Sequence, residues 1–213
     1  MNRADVIQNT VKIACVDFDG TLIRGNSFPK WILFSLIHSL REGRLVFFLQ
    51  LFSLLLLRKG VPLLSHVEFK KRVNNLNYSK NWADDFCKKL YKEDISLAVF
   101  TQLKKLDVDK VVVTTAAPCC YAKSLAKQFA FEDVRFDILC SHLQEQDFYD
   151  NYREKKKAFT LNHIGDNEFI LFTDHRDDIT IARCAKEVFL CNPSPHNRDV
   201  YAEEGVQYNL IQD

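Results

Sequence analysis

Two carboxylates two residues apart, Asp17 and Asp19, stand where an apolar run stops. Val11, Ile13, Ala14, Cys15 and Val16 before them read as a short buried strand of a parallel sheet. Gly20 after them permits a tight turn that most side chains would forbid. In extended chain, residues two apart point the same way, so the two acids can share one side. Such a pair repels itself unless a cation joins it, and hard carboxylate oxygens suit Mg²⁺. In open α/β sheets, ligands bind beyond the carboxyl ends of the strands, which is where these acids lie. For a lone pair of this kind an acidic turn without chemistry is the ordinary alternative, so partners downstream decide.

Three further strand ends carry suitable groups. Val111, Val112 and Val113 run into Thr114-Thr115-Ala116-Ala117-Pro118, with a helix expected over Cys119 to Ala130. A hydroxyl at a strand end beside the free N–H groups of a helix start makes an anion site, although such a threonine also serves as a plain cap. Glu154-Lys155-Lys156-Lys157 opens another helix through Ala158, Phe159, Thr160 and Leu161, offering a cation or merely a solvated helix start. Glu168 to Thr173 is a buried strand that ends in Asp174-His175-Arg176-Asp177-Asp178. Acids there would converge on the crevice of Asp17, and they also complement a helix dipole. His175 is read as a bystander.

Together the stretches DFDGT, VVVTTAAP, Lys157 with Leu161 four residues on, and Asp174 with Asp178 resemble the four motifs of the haloacid dehalogenase (HAD) superfamily of phosphatases, in the family's order. The resemblance implies that Asp17 attacks phosphorus and that Asp19 is the acid and base. It implies that Mg²⁺ is held by an Asp17 oxygen, the Asp19 main-chain carbonyl and Asp174. It assigns Thr115, Ala116 and Lys157 to the phosphoryl oxygens and Asp178 to a supporting role. Alignment on Pro118 selects Thr115 over Thr114. Relatives often carry a glycine shortly before the lysine; Arg153-Glu154 stand there, so Lys155 and Lys156 stay open as alternative registers. The implied activity is Mg²⁺-dependent hydrolysis of a phosphomonoester through an aspartyl-phosphate. A phosphotransferase using the same intermediate, or a small-metabolite phosphatase of the phosphoserine phosphatase type, is the alternative. A dehalogenase is disfavoured because Asp19 suits phosphate-ester cleavage, and an idle binding module because no motif acid is missing.

The elements that must position these groups are α/β: a Rossmann-like parallel sheet flanked by helices, with an all-helical insertion. Residues 1–25 and 108–213 form the expected core and 26–107 the expected cap. Helices read over Trp31 to Leu40 (with Ser27 as a nearby cap), Leu45 to Leu57, Ser65 to Leu76, Lys80 to Tyr91 and Ile95 to Leu106. An insertion between the first two motifs resembles the C1 cap of the phosphoserine-phosphatase-like branch. Its apolar composition is similar to that of phosphatidylglycerophosphatase C-type proteins. Val134 to Cys140 reads as a strand, Leu143 to Arg153 as a loop or short hairpin, and Val188 to Leu190 as the final strand.

The run LVFFLQLFSLLLL, Leu45 to Leu57, falls short of the about 20 residues that a membrane span needs. A helix that is apolar nearly all round cannot leave one face in water, so cover is expected from the cap itself, a second subunit, an acyl chain or a bilayer. The expected partners are therefore a phosphorylated small molecule or phospholipid, with peripheral membrane contact or a homodimer through residues 45–57.

A chain of 213 residues can bury a substantial core, and a net charge of +1 argues against a nucleic-acid surface. Met1 to Thr10 lacks the apolar core of a signal peptide. Seven cysteines match no zinc spacing, so reduced thiols in a cytosolic compartment are expected, with any membrane contact at the inner face.

Overall fold

The structure, a computed structural model, describes residues 12–61, 63–129, 134–145 and 147–213. The N-terminal stretch Met1 to Thr10 and Val11 thus lie outside the described residues, as does Ala130 at the end of one expected helix.

Among the described residues, seven strands form one sheet in the order β4-β3-β2-β1-β5-β6-β7. They are β1 (Ile13–Val16), β2 (Lys110–Pro118), β3 (Arg135–Gln144), β4 (Asp147–Tyr149), β5 (Phe169–Thr173), β6 (Glu187–Cys191) and β7 (Asn209–Ile211). All pairings are parallel except β3 with β4, so the polar stretch after β3 is a hairpin. The last strand is β7 rather than the Val188–Leu190 segment; its short run, mostly exposed at the sheet edge, gives little hydrophobic signal.

Strand alternation divides the apolar residues between two cores. Ala14, Val16, Val111 and Val113 pack on the face that meets the cap. Ile13, Cys15 and Val112 pack on the other, with Ile164, Ile181 and Tyr201. Both neighbours of β1 are parallel to it, but β2 follows it and β5 comes much later. The connection after β1 therefore runs to one side and that after β5, toward β6, to the other, which opens a crevice at their carboxyl ends.

Between β1 and β2 lie five α-helices: α1 (Ser27–Arg41), α2 (Leu45–Leu55), α3 (His66–Asn74), α4 (Trp82–Asp94) and α5 (Leu97–Lys105). Asn26 caps α1 by accepting the Phe28 N–H at 3.0 Å, where Ser27 was the expected cap. A π-helical turn over Leu56–Gly60 extends α2. Trp31 knits the insertion together, within 6 Å of the rings of Phe34, Tyr78, Phe86 and Tyr121.

After β2 the expected single helix is broken into α6 (Cys119–Ala122), a 3₁₀ turn (Lys123–Leu125) and α7 (Ala126–Phe129). The Cys87 thiol donates to the Tyr121 carbonyl at 3.4 Å, an acceptor that a continuous helix would use internally. Cys119 is joined to Cys140 by a disulfide that ties the start of α6 to β3. This corrects the expectation of reduced thiols throughout: residues 21 apart in sequence meet because β2 and β3 are neighbours, which spacing alone does not reveal. The remaining elements are α8 (Glu154–Ile164), α9 (Ile179–Ala182) and α10 (Pro195–Glu203).

Candidate active site

Asp17 follows β1 directly, and its N–H continues the ladder by donating to the Phe172 carbonyl at 2.8 Å. The turn after it closes when the Gly20 N–H donates to the Gly25 carbonyl at 3.0 Å. Gly20 has φ +79°, and a Cβ there would lie 2.2 Å from an Asp174 carboxylate oxygen. Glycine is thus required twice, by the turn and by the approach of an acid arriving from β5. The Thr21 hydroxyl donates to Asp174 at 3.3 Å, and the Asn197 amide of α10 donates to the Asp174 carbonyl at 2.9 Å.

Lys156 projects from α8 into this group. Its ammonium lies 3.0 Å from Asp17 Oδ1 and 2.7 Å from Asp178 Oδ2, and the side chain is buried. Thr173 Oγ1 donates to the same Asp178 oxygen at 2.8 Å. The structure therefore brings Lys156 to Asp17, and not the expected Lys157. The reason is helical phase: α8 begins at Glu154 and buries Lys156, Thr160 and Ile164, at i, i+4 and i+8, as its inner face. Lys155 is exposed and Lys157 half-buried on other faces. Thr160 was the missed signal, a polar residue four positions on whose hydroxyl meets that of Thr114 at 2.8 Å. Arg153 precedes the helix with φ +50°, a backbone conformation that favours glycine. Its guanidinium is held by Asp177 at 2.9 Å.

Thr115 and Ala116 line the cavity, whereas the Thr114 hydroxyl is taken up by Thr160 and Asn151. The Thr115 hydroxyl accepts the Ala117 N–H at 3.0 Å, shaping the loop at the end of β2. Asp19 lies in the same cavity and accepts the Ser27 N–H at 2.8 Å, so the acid is anchored to the first residue of α1.

Sequence reasoning missed Lys70. It comes from cap helix α3, is buried, and donates to the Ala116 carbonyl at 3.0 Å and to Asp150 at 2.9 Å. The Ser141 hydroxyl lies 2.9 and 3.1 Å from the same two acceptors, with one proton to give to either, and the Asn151 amide donates to the carbonyls of Thr115 and Leu139. A lysine in an amphipathic helix gives no signal that its head reaches across to the core. His175 remains outside the acid group: its Nδ1 accepts the Asp177 N–H at 3.2 Å at the cavity rim, near Tyr152.

Electrostatically, carboxylates outnumber the cation in contact with them. Burial pushes the Asp17 carboxyl up to about 8, with Lys156 opposing and Asp178 and Asp174 adding to the rise. Burial, followed by Asp178, raises Asp174 to about 6. Burial also raises Asp19, against hydrogen bonds from Ser27. The net attraction of Asp17 and Asp178 raises Lys156 despite its burial, so it is held charged. Buried acids with raised pKa values and one ammonium fit a second cation with hard oxygen ligands. Among the described residues no three acidic, histidine or cysteine side chains form a ready ligand group, so main-chain oxygen and water would complete the shell, as Mg²⁺ prefers.

The cavity above these groups has a volume of about 940 Å³. Its floor is Asp17, Asp19, Thr115, Lys156 and Asp174, and its cap wall includes Phe28, Ile32, Leu55, Val67 and Phe69. Arg58, Lys59 and His66 line the cap side as well.

A model of the haloacid dehalogenase-like hydrolase family matches residues 14–183. No curated protein matches the sequence. Among solved structures, a Bordetella pertussis Tohama I protein of unknown function aligns with TM-score 0.65 at 16% identity, over 93% of this chain and 98% of that one. A substrate-bound phosphoserine phosphatase complex aligns with TM-score 0.51 at 13% identity, over 91% of each chain. A HAD-family hydrolase from Salmonella enterica serovar Typhi aligns with TM-score 0.52 at 13% identity, over 88% of this chain and 65% of that one. At such identities the likeness is one of fold.

Proposed function

Since the chain belongs to the haloacid dehalogenase-like hydrolases, we propose that it is a phosphomonoester hydrolase acting through an aspartyl-phosphate on Asp17. The single observation that carries this reading is the meeting of Asp17, Asp174, Asp178 and Lys156 beneath one cavity. Phosphoryl transfer needs mostly positioning and charge neutralisation, which a fixed ammonium beside a carboxylate nucleophile begins to provide.

In this reading an Asp17 carboxylate oxygen attacks phosphorus, forming a P–O bond as the bond to the leaving oxygen breaks. Asp19, whose raised pKa favours its protonated form, gives its proton to that oxygen. It then takes a proton from the water that attacks the aspartyl-phosphate, releasing phosphate and restoring Asp17. Lys156 and the Thr115 and Ala116 loop bind phosphoryl oxygens, and Asp178 with Thr173 holds Lys156 in place. The Asp17 and Asp174 carboxylates and the Asp19 main-chain carbonyl would hold Mg²⁺. When bound, that ion offsets the repulsion between Asp17 and an anionic phosphate.

The cap wall supports an apolar, lipid-like leaving group. Phe28, Ile32, Leu55, Val67 and Phe69 offer little to bind a charged one, although Arg58 and Lys59 stand near them. The test is turnover of linear alkyl phosphates of increasing length, with Mg²⁺ and with EDTA. Each buried methylene contributes about 0.8 kcal/mol, roughly fourfold in kcat/KM until the cavity is filled. A flat series, with small polar phosphates preferred, would remove the lipid-like substrate.

A further inference from the structure

Helix α2 has two apolar faces but only one is covered. Phe47, Leu51 and Leu54 are buried against the rest of the cap. Opposite them, Leu45, Leu49, Phe52 and Leu56 recur at i, i+4, i+7 and i+11 and are 60%, 62%, 43% and 51% exposed. Val46 beside them is 72% exposed. The neighbouring α1 adds Leu33, Ile37 and Leu40 at the same spacing, all exposed. Val61 and Leu63 beyond the π turn are exposed too. Scattered exposed leucines need no explanation, whereas whole helical stripes of them mark a surface that meets something.

Charge decides what. From Gly43 to Val67 the sequence holds Arg44, Arg58 and Lys59 and no aspartate or glutamate. Arg58 and Lys59 follow the stripe directly and also line the cavity. The apolar face therefore ends in cations that also line the cavity. A second copy of the chain is the competing occupant, because the spacing also suits a helix–helix seam. Such seams are steered by opposite charges at their flanks, and here the flanks are Phe48, Gln50, Ser53 and Leu55. No helix among the described residues is long and apolar enough to cross a membrane. The 11 residues of α2 are, however, well suited to lying in an interface.

We propose that this face docks on an anionic lipid bilayer, with α2 lying in the headgroup region and Arg58 and Lys59 against lipid phosphates. The docking would set the cavity entrance at the level where a lipid headgroup stands. The attachment itself does not depend on the phosphatase reading.

The experiment is co-sedimentation of the full chain with phosphatidylcholine vesicles, with and without phosphatidylglycerol. The V46E/L49E double variant changes two exposed residues outside the cavity. Each Leu or Val withheld from the interface is expected to weaken binding by about tenfold, so the pair gives about a hundredfold. Hydrolysis of p-nitrophenyl phosphate by that variant should match the wild type, which shows that the fold is intact. R58S/K59S should bind anionic vesicles roughly thirtyfold more weakly and lose the advantage of phosphatidylglycerol over phosphatidylcholine. Three results would overturn the proposal: no pelleting with phosphatidylglycerol at low salt, equal pelleting of V46E/L49E, or a solution dimer that V46E/L49E splits. A chain that pellets but hydrolyses no phosphomonoester would sink the phosphatase reading and leave the docking intact.

Discussion

Replacing Lys156 by Met separates two roles that one ammonium plays. In the resting site it is the counter-ion of two buried carboxylates, 3.0 Å from Asp17 and 2.7 Å from Asp178. Removing one member of a buried ion pair typically costs about 3–5 kcal/mol, because the other charge is left without compensation. K156M alone should therefore be destabilised by a large fraction of that amount, tempered by protonation of Asp17, whose pKa is already pushed up to about 8. K156M/D178N also removes the second partner's charge, and it should recover much of the loss. In catalysis, Lys156 would bond a phosphoryl oxygen, and a charge-assisted hydrogen bond contributes about 1.5–3 kcal/mol, roughly ten- to hundredfold in rate. That loss should persist in the refolded double variant. K155A and K157A should stay within about twofold of the wild type, since neither is on the inner face of α8. The assay is chemical denaturation for stability and kcat/KM on p-nitrophenyl phosphate for activity. If K157A is the severe variant while K156M/D178N keeps wild-type kcat/KM, the placement of Lys156 in the chemistry is refuted.

Other consequences are open to simple measurement. K70M leaves Asp150 without its ammonium and the Ala116 carbonyl with Ser141 alone, a loss of about 3 kcal/mol, which in a chain of this size lowers Tm by roughly 6–12 °C; a shift under about 2 °C would show that the cap is not fastened there. Asp137 is partly desolvated, yet hydrogen bonds from Lys110 and His163 and the charges around it hold its carboxyl down at about 2. A depressed pKa stabilises above the unfolded value of about 4 and is lost as pH falls toward 2, so the Tm gap between wild type and D137N should be full at pH 6 and close between about pH 4 and 2; a gap that widens with acid contradicts the pairing. Alkylation of the denatured, unreduced chain should leave Cys119 and Cys140 unlabelled, and both should react after reduction; labelling of all seven cysteines without reductant would dismiss the disulfide.

Much of the site was legible because its residues end strands. The acids of DFDGT and the acid after Phe172-Thr173 sit where short continuous apolar runs stop, so their convergence followed from sheet topology. The same logic located Thr115. The lysine was harder, because it lies inside a helix start and its register depends on where α8 begins. Leu161 offered a family spacing, whereas Thr160, buried beside Thr114, carried the structural phase. Lys70, Asp150 and Asn151 were illegible: the first two meet across the boundary of cap and core and the third ties β2 to β3, at sequence separations that no local pattern reports. The disulfide was missed for the same reason. The insertion between β1 and β2 was plain from its helical periodicity. The uncovered stripe on α2 was half-visible, since composition announced an excess of apolar surface and only the packing shows which face stays open.

Phosphorylation of Asp17 is the step on which the proposed hydrolysis rests. Its most direct test is acid quenching during turnover of a phosphomonoester, followed by peptide mapping for a phosphoryl adduct. An adduct is expected on the peptide containing Asp17 in the wild type, more of it in D19N, whose second step lacks its base, and none in D17N. Turnover that continues in D17N, or a quenched wild-type enzyme whose adduct maps to any other residue, would contradict it.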